Sequence, residues 1–151
     1  NYSCPEVGKV PFLKRVYFSD FEYTDPFKAG IEECIRAFFR HPEKVELSDG
    51  SSNEAICRAA DVVVVIADTI CTNTLDELLA WSAGARDVLI TGRSYVMDPS
   101  PVFRRGATGM TTQRIVHPDF VGFVRDKLRR RDYGFTDAVV DCFQRRYVVR
   151  E

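Results

Sequence analysis

Polar side chains follow a run of β-branched residues near the middle of the chain. Residues 61–67 are Asp-Val-Val-Val-Val-Ile-Ala, and residues 68–73 are Asp-Thr-Ile-Cys-Thr-Asn, with Thr74 next. Hydroxyl, amide and carboxylate groups in this segment could hold a small polar ligand. Backbone amides at the start of the following predicted helix could receive a carboxylate or a phosphate. Helix capping by Thr74 and Glu77, which have capping-box spacing, is the alternative interpretation, and both remain open.

A second group of candidate ligand residues follows the next apolar run, residues 87–91. Gly92, Arg93 and Ser94 open a long loop rich in proline, serine and arginine. Long loops in compact domains are commonly functional, and arginine binds carboxylates and phosphates in a fork-like geometry. Solvent-exposed arginines without a ligand are the alternative. The predicted ligand-binding residues are Asp68, Thr69, Asn73, Thr74, Gly92, Arg93 and Ser94.

Several well-defined catalytic and cofactor motifs do not occur in the sequence. The chain has no Gly-x-Gly-x-x-Gly for NAD or FAD, no P-loop for nucleoside triphosphates, and no Gly-x-Ser-x-Gly. No nucleophile stands beside a recognisable general base, so the catalytic residues are unknown and enzymatic activity stays an open question. The cofactor is likewise unknown, without a standard NAD, FAD or P-loop nucleotide motif.

Metal ligands are sparse in the sequence. Zinc requires thiolate, imidazole or carboxylate ligands that converge on one point, and the sequence has no Cys-x-x-Cys pair and only two histidines, His41 and His117. Asp68 and Cys71 are the best candidates, and His117 is a possible third ligand. We therefore predict no metal site and retain Asp68, Cys71 and His117 as weak candidates.

Composition indicates one globular domain. The chain has 151 residues, of which 45% are hydrophobic and 28% are charged, and this length is typical of a single domain. We predict one domain over residues 1–151, with residues 1–14 as an extended N-terminal segment. Five scattered cysteines without a Cys-x-x-Cys pair favour a reducing compartment, so we expect no intrachain disulfide and a cytoplasmic location.

Charge is unevenly distributed along the chain. Residues 17–85 carry 5 basic and 13 acidic side chains, whereas residues 86–131 carry 10 basic and 4 acidic ones. This asymmetry could attract a small anionic ligand to the second half. The basic run at residues 125–131 lacks interleaved aromatic residues for base stacking, so we interpret it as a solvated helix end. We expect no nucleic-acid and no membrane partner. A second copy of the chain, a missing N-terminal domain and a partner chain all stay open as protein partners.

Apolar runs alternate with amphipathic helical stretches, a pattern typical of a parallel sheet covered by helices. We predict an α/β fold: a single doubly wound Rossmann-like domain with a mostly parallel sheet of about five strands. Residues 62–67 are apolar at every position, which predicts an interior strand buried on both faces. The predicted strands are residues 15–21, 44–48, 61–67, 87–91 and 111–116. The predicted helices begin at Asp25, Ser51, Thr74, Pro118 and Thr136, and the last one ends at Arg146.

Five sequence segments resemble one known family. They are residues 60–69, 74–79, 92–94, 101–106 and 116–119. Together they are similar to the Rossmann-like C-terminal domain of the putative heavy-metal-chelation family, over residues 60–134. The resemblance implies a small-molecule or metal-related role, for example in an enzyme linked to metal-chelator or cofactor metabolism. A non-catalytic binding or assembly module that supports a partner domain or chain is the alternative.

Overall fold

The chain divides into two compact units, residues 1–57 and 58–151. The computed structural model describes residues 12–20, 25–66, 68–92, 98–130 and 143–150. Most of the predicted N-terminal segment, residues 1–14, lies outside these ranges. The expectation of a single domain over residues 1–151 stays a prediction.

The first unit is built around a pair of parallel strands. Strands β1 (Val16–Asp20) and β2 (Val45–Asp49) pair in register from Val16 opposite Val45 to Asp20 opposite Asp49. Helix α1 (Asp25–Phe38) connects them, as the Asp25-Pro26 start signal predicts. Ile35 and Phe39 are buried and form a small core. The partly buried residues that pack against this core are Val16, Phe18, Ile31, Cys34, Val45 and Leu47.

A polar turn follows β2. The Asp49 carboxylate accepts a hydrogen bond from the Ser51 backbone N–H at 3.0 Å, which stabilises the 3-10 turn Gly50–Ser52. Helix α2 (Asn53–Ala59) follows directly. The buried Asn53 side chain accepts a hydrogen bond from the Ser19 hydroxyl. The short helix predicted here is therefore confirmed.

The second unit contains a four-stranded sheet in the order β3-β4-β5-β6. The strands are β3 (Val62–Ile66), β4 (Asp87–Thr91), β5 (Gly109–Ile115) and β6 (Phe143–Val149). The helices are α3 (Asp68–Cys71), α4 (Leu75–Trp81), α5 (Ser100–Arg104) and α6 (Phe120–Arg129). The β3–β4 and β4–β5 pairs are parallel, and β5–β6 is antiparallel.

This architecture corrects the predicted sheet. The described residues form an α/β fold with two sheets of two and four strands, rather than one mostly parallel sheet of about five. Strand β3, predicted to be interior, stands at the end of the strand order in its sheet. Residues 143–146, predicted to end a helix, belong to β6 instead, because Tyr147, Val148 and Val149 favour a strand and pair with β5.

Burial is confined to one face of the four-stranded sheet. Paired residues of neighbouring strands point to the same side, so Val65, Ile90 and Met110 share one face, and they are 3%, 1% and 0% exposed. On the opposite face Val64 and Val149 are 45% and 58% exposed. The expectation that β3 is buried on both faces is therefore wrong, because its side chains on this face are exposed.

The cysteines in the described ranges are free thiols. Cys57 is buried, Cys34 is half-buried beside the Ile35 core, and Cys71 is exposed. Cys4 and Cys142 lie outside the described residues. Within the described ranges, no helix is long and apolar enough to cross a lipid bilayer.

Helix α6 begins with a side-chain cap that glycine makes possible. The Asp119 carboxylate accepts a hydrogen bond from the Gly122 backbone N–H at 3.0 Å, and a Cβ at residue 122 would overlap that carboxylate. We expect Asp119→Ala to lower the free energy of unfolding by about 1 kcal/mol, measured by urea denaturation. Asp126→Ala, which removes an exposed carboxylate from the same helix, serves as the control. An equal loss in both variants would contradict the capping role.

Candidate functional site

The carboxyl ends of β3 and β4 lie side by side. Ile66 of β3 is paired with Thr91 of β4 in a parallel register, so the segments that follow both strands leave the sheet at the same edge. Ligands of open parallel sheets collect at this edge. We refer to the polar residues that follow β3 and β4, together with those beside them on β5, as the carboxyl-edge site.

The segment after β3 folds into a single helical turn, α3. The Thr69 hydroxyl donates to the Ile66 carbonyl at 2.8 Å, and the Thr74 backbone N–H donates to the Thr69 carbonyl at 3.0 Å. These bonds fold the segment back on the end of β3. The side chain of Asp68, a predicted ligand residue, lies outside the described part of the structure.

Asn73 and Thr74, at the end of this segment, do not form the helix cap that the sequence pattern predicts. Asn73 has a φ of 58°, in the left-handed region that asparagine tolerates, and its side chain is exposed. Thr74 makes no side-chain cap to α4, and its hydroxyl instead shares a hydrogen bond of 2.9 Å with the Thr72 hydroxyl. The predicted capping box is therefore wrong, since Thr74 has helical backbone angles whereas a capping residue is extended.

The first turn of α4 carries its own negative charge. Asp76 and Glu77 are both exposed there, and carboxylates at this position offset the positive end of a helix. Asp76 also forms an ion pair with Arg105, the residue that follows α5. Positive charge for an anionic ligand must therefore come from another residue. Arg93 and Ser94, the residues predicted for this purpose, lie outside the described residues.

A pair of threonines that the sequence analysis did not select lies at the same edge. The Gly92 backbone N–H donates to the Thr111 hydroxyl of β5 at 3.3 Å, and the Thr111 hydroxyl donates to the Thr91 hydroxyl at 3.1 Å. Gly92 has a φ of 154°, which residues with a side chain rarely adopt. The pairing of β4 with β5 brings Thr91 and Thr111 together, and no local signal in the sequence indicates that pairing.

Asp98 has a structural rather than a ligand-binding environment. Its carboxylate accepts hydrogen bonds from the Ser100 backbone N–H at 3.0 Å and the Ser100 hydroxyl at 2.8 Å. These bonds, with a smaller contribution from the charge of Arg104, lower the pKa of Asp98 below its ordinary value. Asp98 is therefore ionised at neutral pH. Its carboxylate is engaged by Ser100 at the start of α5.

Cys71 and His117, two of the weak metal-ligand candidates, differ in their surroundings. The Cys71 thiol is exposed at the end of α3. His117 Nδ1 accepts a hydrogen bond from the Asp119 backbone N–H at 3.2 Å, and the His117 ring lies 5.1 Å from the Phe123 ring. Where side chains are described, no group of three His, Cys, Asp or Glu residues is arranged to hold a metal ion. The candidates Asp68, Cys71 and His117 stay predictions.

Comparison with known families identifies the chain. A family profile described as putative heavy-metal chelation, DUF364, matches residues 24–122. The chain belongs to this family. The match confirms the family resemblance predicted from the sequence segments.

Two crystal structures from the DUF364 family have a similar fold. One is a protein of unknown function from Desulfitobacterium hafniense DCB-2, with a TM-score of 0.57 and 14% identity over 98% of this chain and 56% of that chain. The other, also of unknown function, is from Pyrococcus horikoshii, with a TM-score of 0.53 and 14% identity over 91% of this chain and 55% of that chain. This chain thus spans little more than half the length of these DUF364 proteins. No protein with curated annotation matches it.

The DUF364 family description mentions heavy metals, so the donor atoms at the carboxyl-edge site can be compared with those that heavy metals prefer. Heavy metals bind best to thiolate and imidazole ligands. The described side chains at this edge supply one thiol, that of Cys71, and otherwise mainly threonine hydroxyls, of which those of Thr91 and Thr111 are bonded to each other. A single thiol among the described residues of this edge does not make a heavy-metal centre, and we derive no chemistry through one.

Proposed function

We propose that this chain binds a small anionic metabolite at the carboxyl-edge site of its four-stranded sheet. The observation that carries the proposal is the register of β3 and β4, which places Ile66 opposite Thr91. That register brings the two segments chosen from the sequence to one edge of one sheet.

Hydroxyl groups dominate the described part of this site. Thr72 and Thr74 lie on the segment after β3, and Thr91 and Thr111 lie at the ends of the neighbouring strands. Hydroxyls both donate and accept hydrogen bonds, so they suit a ligand rich in oxygen atoms. Arg93, directly after Gly92, would supply the charge that a carboxylate or phosphate requires.

An anionic ligand is compatible both with the heavy-metal description of the family and with the threonine hydroxyls at the site. Polycarboxylate chelators are oxygen-rich anions, which threonines and an arginine can bind without touching the metal. We therefore propose that the chain belongs to an enzyme linked to metal-chelator or cofactor metabolism. The proposal assigns a binding role to the named residues and leaves the catalytic residues unassigned.

Titration of the isotope-labelled chain tests this proposal. Citrate and inorganic phosphate are the probes, and sorbitol is the neutral control. We expect amide shifts in the NMR spectrum at Thr69, Thr74 and Gly92 with the anions only. The shifts should weaken as ionic strength rises from ~20 to ~300 mM, because salt screens a charged contact.

Two results would contradict the proposal. The first is the absence of amide shifts with either anion. The second is a set of shifts confined to the basic helix α6, which would indicate non-specific binding of anions to its surface. Either result would favour the alternative, a non-catalytic module that supports a partner chain.

A further inference from the structure

Helix α6 presents apolar side chains to solvent. It has ten residues, and none of them is buried. Val121 is 67% exposed and Leu128 is 49% exposed. Isolated helices of this length are marginal in water, and helices in proteins gain most of their stability by packing an apolar face. The exposed apolar side chains of α6 therefore indicate a surface that another molecule covers.

Five apolar and basic side chains lie together on the open side of α6. They are Val121, Val124, Arg125, Leu128 and Arg129. These residues form two neighbouring i, i+4 rows, one through residues 121, 125 and 129 and one through residues 124 and 128. In helix packing, a ridge of side chains from one helix enters the groove between two such rows of another. We call this surface the α6 groove.

The positive charge beside the α6 groove indicates what kind of partner would bind there. Arg125 and Arg129 are exposed, and neither guanidinium pairs with a carboxylate within the described ranges. Two copies of α6 packed against each other would bring these arginines together, which disfavours a symmetric pair. A partner with carboxylates beside its apolar ridge would instead place opposite charges at the rim.

We propose that the α6 groove docks an acidic amphipathic helix of a partner protein. The apolar ridge of that helix packs on Val121, Val124 and Leu128, and its flanking carboxylates face Arg125 and Arg129. This is the helix-in-groove mode of recognition, with apolar anchors spaced i, i+3, i+4 and i+7. This inference does not depend on the carboxyl-edge site.

A designed peptide tests the proposal with the full chain. The probe is a fluorescent helical peptide with leucines at the anchor spacing and glutamates at the flanking positions, and the comparison peptide has lysines in place of the glutamates. Fluorescence anisotropy at low salt should show binding of the acidic peptide, with at least about tenfold weaker binding of the basic one.

Variants of the chain separate the two parts of the contact. Leu128→Glu, and the double change Arg125→Glu with Arg129→Glu, should each weaken binding of the acidic peptide at least about tenfold. Arg104→Glu reverses an exposed charge on α5 and should leave binding unchanged. Circular dichroism of each variant verifies folding, and the arginine variant keeps the test valid if Leu128→Glu does not fold.

Three results would overturn the proposal. One is equal binding, or no binding, of the two peptides. Another is reversible dimerisation in analytical ultracentrifugation that Leu128→Glu abolishes, which would make a second copy the occupant. The third is stronger binding to vesicles of phosphatidylcholine and phosphatidylglycerol than to the acidic peptide, which would make the surface a lipid contact.

Discussion

Replacing Ile90 with alanine is expected to lower the free energy of unfolding of the second unit by about 2–5 kcal/mol. Ile90 is 1% exposed on β4, and its partners in the neighbouring strands, Val65 and Met110, are equally well buried. Shortening a side chain between two filled positions leaves a cavity that the strands cannot close. The loss therefore combines the lost burial of the side chain with the cost of that cavity.

Urea denaturation followed by tryptophan fluorescence measures this change. Trp81, the one tryptophan in the chain, lies at the end of α4 in the second unit and reports on its unfolding. Val64→Ala is the matched control, because Val64 is 45% exposed on the other face of the sheet. We expect the control to lose less than about 1 kcal/mol. Equal losses in the two variants would show that the two faces do not differ in packing.

Replacing Arg93 with alanine is expected to weaken citrate binding about tenfold to hundredfold. Arg93 is the next residue in the sequence after Gly92, which lies at the carboxyl edge. The first turn of α4 carries carboxylates rather than positive charge. Loss of a charge-assisted hydrogen bond to the ligand accounts for the size of the effect. Titration calorimetry measures the affinity, and urea denaturation should show an unchanged free energy of unfolding.

Two further variants give this prediction its controls. Arg36→Ala removes an exposed arginine from α1 in the first unit and should leave citrate affinity unchanged. Arg93→Lys keeps the charge but not the fork geometry, so it should recover part of the affinity. If Arg93→Ala and Arg36→Ala have equal affinities for citrate, Arg93 does not contact the ligand.

Local signals were enough to predict several elements. The β-branched run of β3 and the apolar run at residues 87–91 each predict a strand from their residue types alone. Strand β4 begins and ends where the sequence predicts. Helix α1 begins at Asp25 because the aspartate and the following proline suit the first helical positions. These features depend on residues close together in the chain.

Features that depend on distant partners could not be predicted. Strand β6 exists because its residues pair with β5, and the residues before it gave only a helical pattern. The open face of β3 was missed because an apolar run does not show whether anything covers it. The Thr91 and Thr111 hydroxyl pair arises from two strands twenty residues apart in the chain. In the segment after β3, hydrogen bonds within the segment stand in place of the predicted helix cap.

The main pairing partner of β5 is synthesised last among the described strands, so β5 completes its pairing late in folding. Seven residue pairs join β5 to β6, whereas two join β5 to β4. During translation the residues of β6 are added after those of every other described strand. On a growing chain, one long edge of β5 therefore stays unpaired until β6 has left the ribosome. Contacts between residues so far apart in sequence form slowly, which makes this interval the stage at which a chaperone would have most to protect.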